Sequence, residues 1–254
     1  MRKLICIFGA LILMTSSYAQ VIYMQYRVVP ADKEQEFVQR ETKYWSKVAK
    51  AAIDNGNLQG WSLWHKVGVT NTDAPNYVFL NIYESVDKMK PELVFSEDNM
   101  KNLGVPMSQA ETNSFTTVPF DYIMQLEDMV PGENQFVLVN YAMPKDFNGF
   151  ITENKDLWKP FHEKNIQAKT MGMSSWGMMS VIYPQGMQAR FSVLTWDGFN
   201  DLTSVMNYLR YEPDAEVPQE WQAIFDKTKM GEIIPEGFEW RIIYEKVMSL
   251  SADD

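Results

Sequence analysis

The chain has 254 residues and a formal net charge of −10, with 23 basic and 33 acidic side chains. This acidic balance argues against nucleic acid and anionic membrane surfaces as partners, because phosphate binding needs concentrated Lys and Arg. The single cysteine is Cys6, so the chain beyond the N-terminal segment has no disulfide framework, thiolate nucleophile or cysteine metal site.

Residues 1–19 have the three parts of a secretory signal peptide. A positively charged start is followed by an apolar run over residues 4–14, which is too short to span a bilayer, and by small residues at Ser17 and Ala19. We expect cleavage after Ala19, a periplasmic or secreted protein, and no membrane span in the mature chain. A buried N-terminal strand is the alternative interpretation.

Residues 20–130 are predicted to form a first unit with the element order β-α-β-β-α-β. β-Branched and aromatic residues indicate strands over residues 21–29, 58–67, 77–83 and 118–126. Asp32 can cap a helix whose apolar side includes Phe37 and Trp45, and a second helix is predicted over residues 86–93.

Residues 131–254 are predicted to repeat the same order as a second unit. The pattern indicates strands over residues 136–143, 174–183, 189–196 and 239–248, and helices over residues 150–169 and 197–211. We expect Pro160 to kink the first of these helices, because proline lacks an amide donor and its ring clashes with the preceding turn.

Aromatic and proline landmarks recur at a nearly constant spacing. The pairs, with their separations, are Pro30 and Pro144 (114), Trp45 and Trp158 (113), Trp61 and Trp176 (115), and Tyr83 and Trp196 (113). Four such pairs in the same order on the same elements indicate a duplicated unit.

Two β-α-β-β-α-β units in tandem resemble the ferredoxin-like units of the dimeric α/β-barrel superfamily, which includes antibiotic-biosynthesis monooxygenase-like, EthD-like and NIPSNAP-like families. The resemblance implies an α+β fold in which antiparallel sheets pack as a pseudo-twofold α/β barrel with helices outside. Because one chain supplies both sheets, we expect either a monomer with an internal pseudo-dimer or a homodimer. Strands that are apolar at nearly every position fit this arrangement, since both faces of each sheet are then covered.

Polar residues that interrupt the strands, with tryptophans beside them, are the candidate lining of a small-molecule pocket, which needs aromatic walls and a few placed polar groups. The candidate ligand-binding residues are Arg27, Trp61, His65, Asn81, Trp158, Trp176 and Arg190. The candidate catalytic residues are His65, His162, Asn81 and Asn140. The structural alternative is that these side chains lie at the barrel ends or satisfy one another.

The chain has only two histidines, and both are candidate site residues. His65 shares strand parity with Trp61, and His162 lies four residues after Trp158, where the first unit has Ala49. We expect at least one imidazole at a cavity edge, because an imidazole placed against tryptophan otherwise loses hydration without return. The expected hydrogen-bond partners are Arg27, Asn81 and Arg190.

The sequence predicts no metal site and no tightly held cofactor. Tandem ferredoxin-like chains of this length also resemble the chlorite dismutase family, which binds haem through a histidine of its second unit, so haem is kept as an alternative cofactor, although that family's motif is absent around His162. Methionines over residues 171–179 fit core filling better than a copper site. No phosphate-binding glycine loop, serine nucleophile elbow or zinc-protease motif is present.

The leading functional hypothesis is an exported protein that binds a small apolar or aromatic molecule. A cofactor-independent monooxygenase or isomerase, with Asn81 or Asn140 orienting the substrate, is the first alternative. A structural or partner-binding module is the second.

Overall fold

The computed structural model describes residues 20–68, 74–213 and 216–253, and the predicted signal peptide lies outside these residues. The described chain forms eight strands: β1 (Val21–Val28), β2 (Gly60–Lys66), β3 (Tyr77–Tyr83), β4 (Thr117–Val130), β5 (Phe136–Ala142), β6 (Met173–Tyr183), β7 (Val193–Phe199) and β8 (Trp240–Ser251). They close into one barrel in the order β1-β3-β2-β8-β5-β7-β6-β4. All neighbouring strands are antiparallel.

The barrel has two halves with the same internal order. In the first half β1 pairs with β3 and β4, and β3 pairs with β2. In the second half β5 pairs with β7 and β8, and β7 pairs with β6. The β2–β8 and β4–β6 pairs join the halves edge to edge. The predicted α+β barrel of tandem ferredoxin-like topology is therefore confirmed, and one chain closes it.

The two faces of each strand are buried for different reasons. Ile22 and Met24 of β1 belong to the apolar core inside the barrel, whereas Tyr23 and Arg27 face outward toward the helices. Inside the barrel, buried tyrosine hydroxyls form a short hydrogen-bonded series with O–O distances of 3.1 and 3.2 Å: Tyr26, Tyr141 and Tyr244. Core on one face and helices on the other explain the nearly continuous apolar strands.

Helices pack on the outer faces of both halves, with separate apolar clusters beneath them. They are α1 (Glu34–Arg40), α2 (Ser46–Asp54), α3 (Pro91–Val94), α4 (Glu97–Met100), α5 (Met107–Ala110), α6 (Phe147–Glu153), α7 (Lys159–Ala168), α8 (Leu202–Leu209), α9 (Gln219–Phe225) and α10 (Met230–Ile233). In the described parts of the chain, no helix is both long enough and apolar enough to cross a bilayer.

The first long helix of each half contains a π-helical turn, Glu41–Trp45 and Asn154–Trp158. Pro160 was expected to kink the second of these helices. Pro160 lies in the first turn of α7, directly after the π-helical turn Asn154–Trp158, and a kink at this point stays a prediction. The first half has the same wide turn without a proline, so the turn is a property of the repeated helix.

The predicted second helix of the first half, over residues 86–93, is wrong, because the segment is divided into short pieces. Pro91 begins α3, and the Ser96 hydroxyl caps α4 by accepting from the Asn99 amide. Gly104 then adopts a φ of 68°, which ends the next turn.

The predicted helix over residues 197–211 starts too early. Residues 197–199 continue β7, and the helix α8 begins at Leu202, where the Asp201 side chain accepts from the Ser204 amide. Asp197 is therefore a buried strand residue and not a helix cap.

Candidate functional site

Each half has a cavity between its helices and the outer face of its strands. The first-half pocket has a volume of about 600 Å³, and the second-half pocket has a volume of about 220 Å³. The first value lies within the roughly 300–1,000 Å³ of typical small-molecule sites, and the second lies below it. The residues of the first-half pocket that matter chemically are Tyr23, Arg27, Glu41, Trp45, Trp61 and Asn81.

Glu41 places a buried carboxyl in the helical wall of the first-half pocket. It is the first residue of the π-helical turn and is only 5% exposed. Burial raises the pKa of Glu41 from an ordinary 4.5 to about 7, while the hydrogen bond from the Thr112 hydroxyl and the charge of Arg27 act to lower it. The Thr112 Oγ1 donates to Oε1 at 2.8 Å. A carboxyl with this pKa can both accept and return a proton near neutral pH.

Arg27 supplies the positive charge in the opposite wall. Its Nη1 donates to Thr116 Oγ1 and to Asn113 Oδ1, each at 3.0 Å, and its Nε donates to Gln25 Oε1 at 2.8 Å. The guanidinium carbon lies 5.4 Å from the centroid of the Phe79 ring. Nη2 has no hydrogen-bond partner among the described residues, which leaves its N–H groups for a ligand oxygen.

Two further polar side chains line the sheet wall. Tyr23 donates its hydroxyl to Asp121 Oδ2 at 2.6 Å, and burial together with this carboxylate raises the pKa of Tyr23 to about 12. Asn81 lies opposite Trp61 in the β2–β3 pair and opposite Tyr23 in the β1–β3 pair. Within the described chain the Asn81 carboxamide makes no hydrogen bond, so its N–H and C=O groups are available to a bound molecule.

Fixed aromatic side chains complete the first-half pocket. The Trp45 Nε1 donates to the Ala110 carbonyl at 2.8 Å, and its ring meets Phe95 edge to face at 6.1 Å. Trp61 is packed against Phe79 with ring centroids 6.0 Å apart. These contacts hold both indoles in the wall of the pocket, which suits an aromatic ligand.

The second-half pocket is built around His162. The imidazole lies between Trp158 and Trp176, at centroid distances of 5.9 and 5.7 Å and interplanar angles of 25° and 18°. Burial lowers the pKa of His162 from 6.5 to about 4, so the ring is neutral at physiological pH. Its Nδ1 is buried without a hydrogen-bond partner among the described residues.

A polar chain on the sheet wall faces this histidine across the second-half pocket. Arg241 Nε donates to Asn140 Oδ1 at 2.8 Å, and Asn140 Nδ2 donates to Asp197 Oδ2 at 2.9 Å and to Thr195 Oγ1 at 3.2 Å. Asp197 is 3% exposed. Burial raises the pKa of Asp197 to about 6, against the lowering effects of the Asn140 hydrogen bond and the Arg241 charge.

The two pockets carry their buried carboxyls on opposite walls. Glu41 and Asn154 each begin the π-helical turn of their half. Asn81 and Asp197 each pair with the tryptophan of the neighbouring strand in their half. In the first half the acid is on the helix, and the second half has the amide Asn154 at that position. In the second half the acid is on the sheet, and the first half has the amide Asn81 at that position.

The predicted ligand-binding residues do not form one site. Arg27, Trp61 and Asn81 line the first-half pocket, whereas Trp158 and Trp176 line the second-half pocket. Their roles in binding remain predictions. The predicted catalytic candidates are divided in the same way, with Asn81 in the first pocket and Asn140 and His162 in the second.

His65 and Arg190 lie apart from both pockets. The His65 ring packs on Tyr77 with centroids 4.6 Å apart, and its Nε2 lies 3.7 Å from Glu34 Oε2. Arg190 lines a different cavity of about 290 Å³ and covers the Phe120 ring at 4.6 Å.

The expected hydrogen bonds from a histidine to Arg27, Asn81 or Arg190 are not made. His162 is in the other half of the barrel from the first two of these residues, and His65 faces a glutamate instead. The prediction aligned residues by sequence offset, which cannot distinguish two equivalent pockets from one shared pocket.

Sequence reasoning missed Glu41 and Asp197. Glu41 lies four residues after Phe37 and four before Trp45, so helical periodicity alone places this charge on the buried stripe. Asp197 stands between Trp196 and Gly198 in an apolar run, and its interpretation as a helix start concealed it.

The second-half pocket does not fit haem, the alternative cofactor. A haem macrocycle would have to lie across the edge of the His162 ring, and a cavity of about 220 Å³ is too small to hold one there. Within the described residues, no group of three or more His, Cys, Asp or Glu side chains is arranged to hold a metal ion.

Solved structures with this fold include proteins described as oxygenases. A presumed monooxygenase of Fusobacterium nucleatum subsp. nucleatum ATCC 25586 is 12% identical, with a TM-score of 0.59 over 93% of this chain and 96% of that chain. An anthrone oxidase-like protein is 11% identical, with a TM-score of 0.57 over 94% and 95%. A mutant chlorite dismutase from Candidatus Nitrospira defluvii is 8% identical, with a TM-score of 0.50 over 91% and 92%.

These similarities define the class of the fold. The chain has the dimeric α/β-barrel architecture of these proteins over nearly its whole described length. No protein-family model and no curated protein matches it by sequence. At such low identities the similarity shows the fold alone, and function has to be argued from the pockets.

Proposed function

We propose that the first-half pocket is the active site of a cofactor-independent monooxygenase that acts on a planar aromatic substrate with an acidic C–H group. The observation that carries the proposal is a buried carboxyl, Glu41, whose pKa is raised to about 7 in an aromatic-walled cavity of about 600 Å³. A base with a pKa near the working pH is the group that proton abstraction from carbon requires.

The pocket suits the charge that such a reaction develops. When Glu41 removes the proton, negative charge spreads onto an oxygen of the substrate. The free N–H groups of Arg27 Nη2 and of the Asn81 carboxamide can donate to that oxygen. Trp45 and Trp61 hold the ring system and exclude water, which strengthens both interactions.

The reaction proceeds from the substrate carbanion. The carbanion gives one electron to molecular oxygen, the two radicals combine to a peroxide, and the peroxide loses water to leave a carbonyl group. The CH₂ group loses two hydrogens, one oxygen atom becomes the carbonyl oxygen, and the other leaves as water. Glu41 takes the first proton and returns it to the outer oxygen of the peroxide. The O–O bond then breaks, and that oxygen leaves as water with the second proton of the former CH₂ carbon, so the protein ends unchanged.

The structural similarity to an anthrone oxidase-like protein supports this substrate class. An anthrone carries a CH₂ group between aromatic rings and beside a ring system that stabilises the anion, and one protein with this fold is described as anthrone oxidase-like. A tricyclic ligand of this kind is compatible with the volume of the first-half pocket.

Oxygen uptake with 1,8-dihydroxyanthrone tests the proposal. We expect uptake above the spontaneous rate, increasing with pH through an apparent pKa near 7, and a loss of roughly 10²- to 10⁴-fold in Glu41→Gln. Glu163→Gln, which changes an exposed glutamate of α7, is the matched control and should keep full activity. Uptake that Glu41→Gln leaves unchanged would refute the assignment of the base.

Binding without turnover is the second candidate function, favoured by the largely apolar lining of the pocket, which includes several aromatic side chains. Quenching of tryptophan fluorescence by an anthraquinone, the unreactive product, measures binding separately from oxygen uptake. Saturable quenching without uptake would make the first-half pocket a carrier site.

We also propose that the protein is exported and acts outside the cytoplasm. The proposal rests on the sequence of residues 1–19, whose charge, apolar run and small residues match a signal peptide. N-terminal sequencing of protein recovered from the periplasm or the medium should begin at Gln20. A cytoplasmic protein that retains Met1 would contradict it.

A further inference from the structure

A histidine that lines the second-half pocket has a polar atom without a partner among the described residues. His162 is 4% exposed, and its Nδ1 is buried with no partner among the described residues. A buried nitrogen that loses its water and gains no hydrogen bond destabilises the folded protein. The first half has Ala49 at the equivalent helical position, so the fold itself does not require an imidazole here.

The surroundings of His162 identify the shape of a suitable partner. Phe150, Trp158 and Trp176 line the cavity with aromatic faces, and Trp221 of α9 packs against Trp158 with centroids 6.4 Å apart. A volume of about 220 Å³ is ample for one aromatic ring. The walls therefore favour a flat, single-ring molecule.

The polar groups of the cavity identify its chemistry. A neutral imidazole has one acceptor nitrogen and one donor nitrogen. On the sheet wall, Asp197 uses Oδ2 for Asn140, and Arg241 uses Nε for the same amide, which leaves Asp197 Oδ1 and the terminal guanidinium nitrogens without partners among the described residues. A hydroxyl group can donate to the imidazole or to Asp197 and accept from Arg241.

We propose that the second-half pocket is a separate binding site for a single-ring phenol, whose hydroxyl group satisfies His162 Nδ1. The site is independent of the proposed oxygenase reaction, because its ligand has no acidic C–H group and its residues do not line the first-half pocket.

Histidine NMR provides a direct test, because the chain contains only two histidines. In protein labelled with ¹⁵N in the imidazole rings, His65→Gln assigns the remaining signals to His162. We expect phenol to shift the His162 nitrogen resonance in a saturable way and to leave that of His65 in place. Benzene, which has the ring and lacks the hydroxyl, should leave the His162 nitrogen nearly unchanged.

Variants locate the binding site. His162→Phe keeps an aromatic ring between the two indoles and removes the nitrogen, and should weaken phenol binding measured by calorimetry about tenfold. Glu41→Gln should retain the phenol-induced shift in full. The proposal is overturned if phenol leaves the His162 resonance unmoved, if benzene shifts it equally, or if Glu41→Gln abolishes the shift. The wild-type titration decides the matter even if His162→Phe fails to fold.

Discussion

Glu41→Gln should remove much of the pH dependence of the protein's stability. A carboxyl whose pKa is raised in the folded state contributes stability below its unfolded pKa and loses that contribution as the pH rises through the folded value. For Glu41 these values are 4.5 and about 7. Between pH 5 and pH 8 the folded protein therefore loses about 2.5 kcal/mol of unfolding free energy on account of this group.

The amide variant should be well tolerated. Glutamine keeps the shape of the side chain and can still accept the 2.8 Å hydrogen bond from Thr112. The chain itself has an amide, Asn154, at the equivalent position of the second half. We therefore expect Glu41→Gln to be more stable than the natural protein at pH 8 and close to it at pH 5.

Urea unfolding at a series of pH values measures the difference. The gap between Glu41→Gln and the natural protein should open between pH 4.5 and pH 7 and reach roughly 2–3 kcal/mol. Glu163→Gln, which removes an exposed carboxyl, should show no comparable gap. A constant difference across this range would mean that Glu41 titrates normally, and the argument for a neutral-pH base would then fail.

Three further substitutions test other parts of the structure by urea unfolding. Gly177→Ala would place a Cβ atom 2.0 Å from the Trp196 ring, so it should destabilise the protein by roughly 1–3 kcal/mol; an unchanged midpoint would contradict this packing. Asn76→Ala removes the amide that pairs with both backbone groups of Val29 at 2.8 and 2.9 Å and should cost roughly 1–3 kcal/mol; a neutral result would show that water replaces the bridge. Asp197→Asn should abolish the loss of stability that accompanies the rise in pH from 3.8 to about 6, and a variant with the natural pH profile would argue against a buried acid there.

The barrel could be predicted from sequence because the repeat leaves a strong record. Trp45 and Trp158 occupy the same place at the end of the two π-helical turns, and Trp61 and Trp176 the same place on β2 and β6. Apolar residues on both strand faces indicated a covered sheet. These signals depend on strand composition or on residue spacing, and the tertiary contacts of the barrel reinforce the structure that they predict.

The polar site was harder to predict because its charged residues stand at positions where the helix and strand patterns call for apolar ones. Glu41 stands at helical spacing from Phe37 and Trp45, but its chemical significance comes from its burial in the folded chain, which raises its pKa. The π-helical turns also have no reliable sequence signature, since one forms directly before Pro160 and the other forms in a helix without a proline. Spacing identified the repeat and could not show that each half has its own pocket.

A crystal structure with a bound anthraquinone tests the central claim most directly. We predict difference density in the first-half pocket, with the ring system between Trp45 and Trp61 and a carbonyl oxygen within hydrogen-bonding distance of Arg27 or Asn81. The carbon that corresponds to the reacting CH₂ group should face Glu41. Density in the barrel interior or in the second-half pocket, with the first-half pocket empty at saturating ligand, would contradict the account.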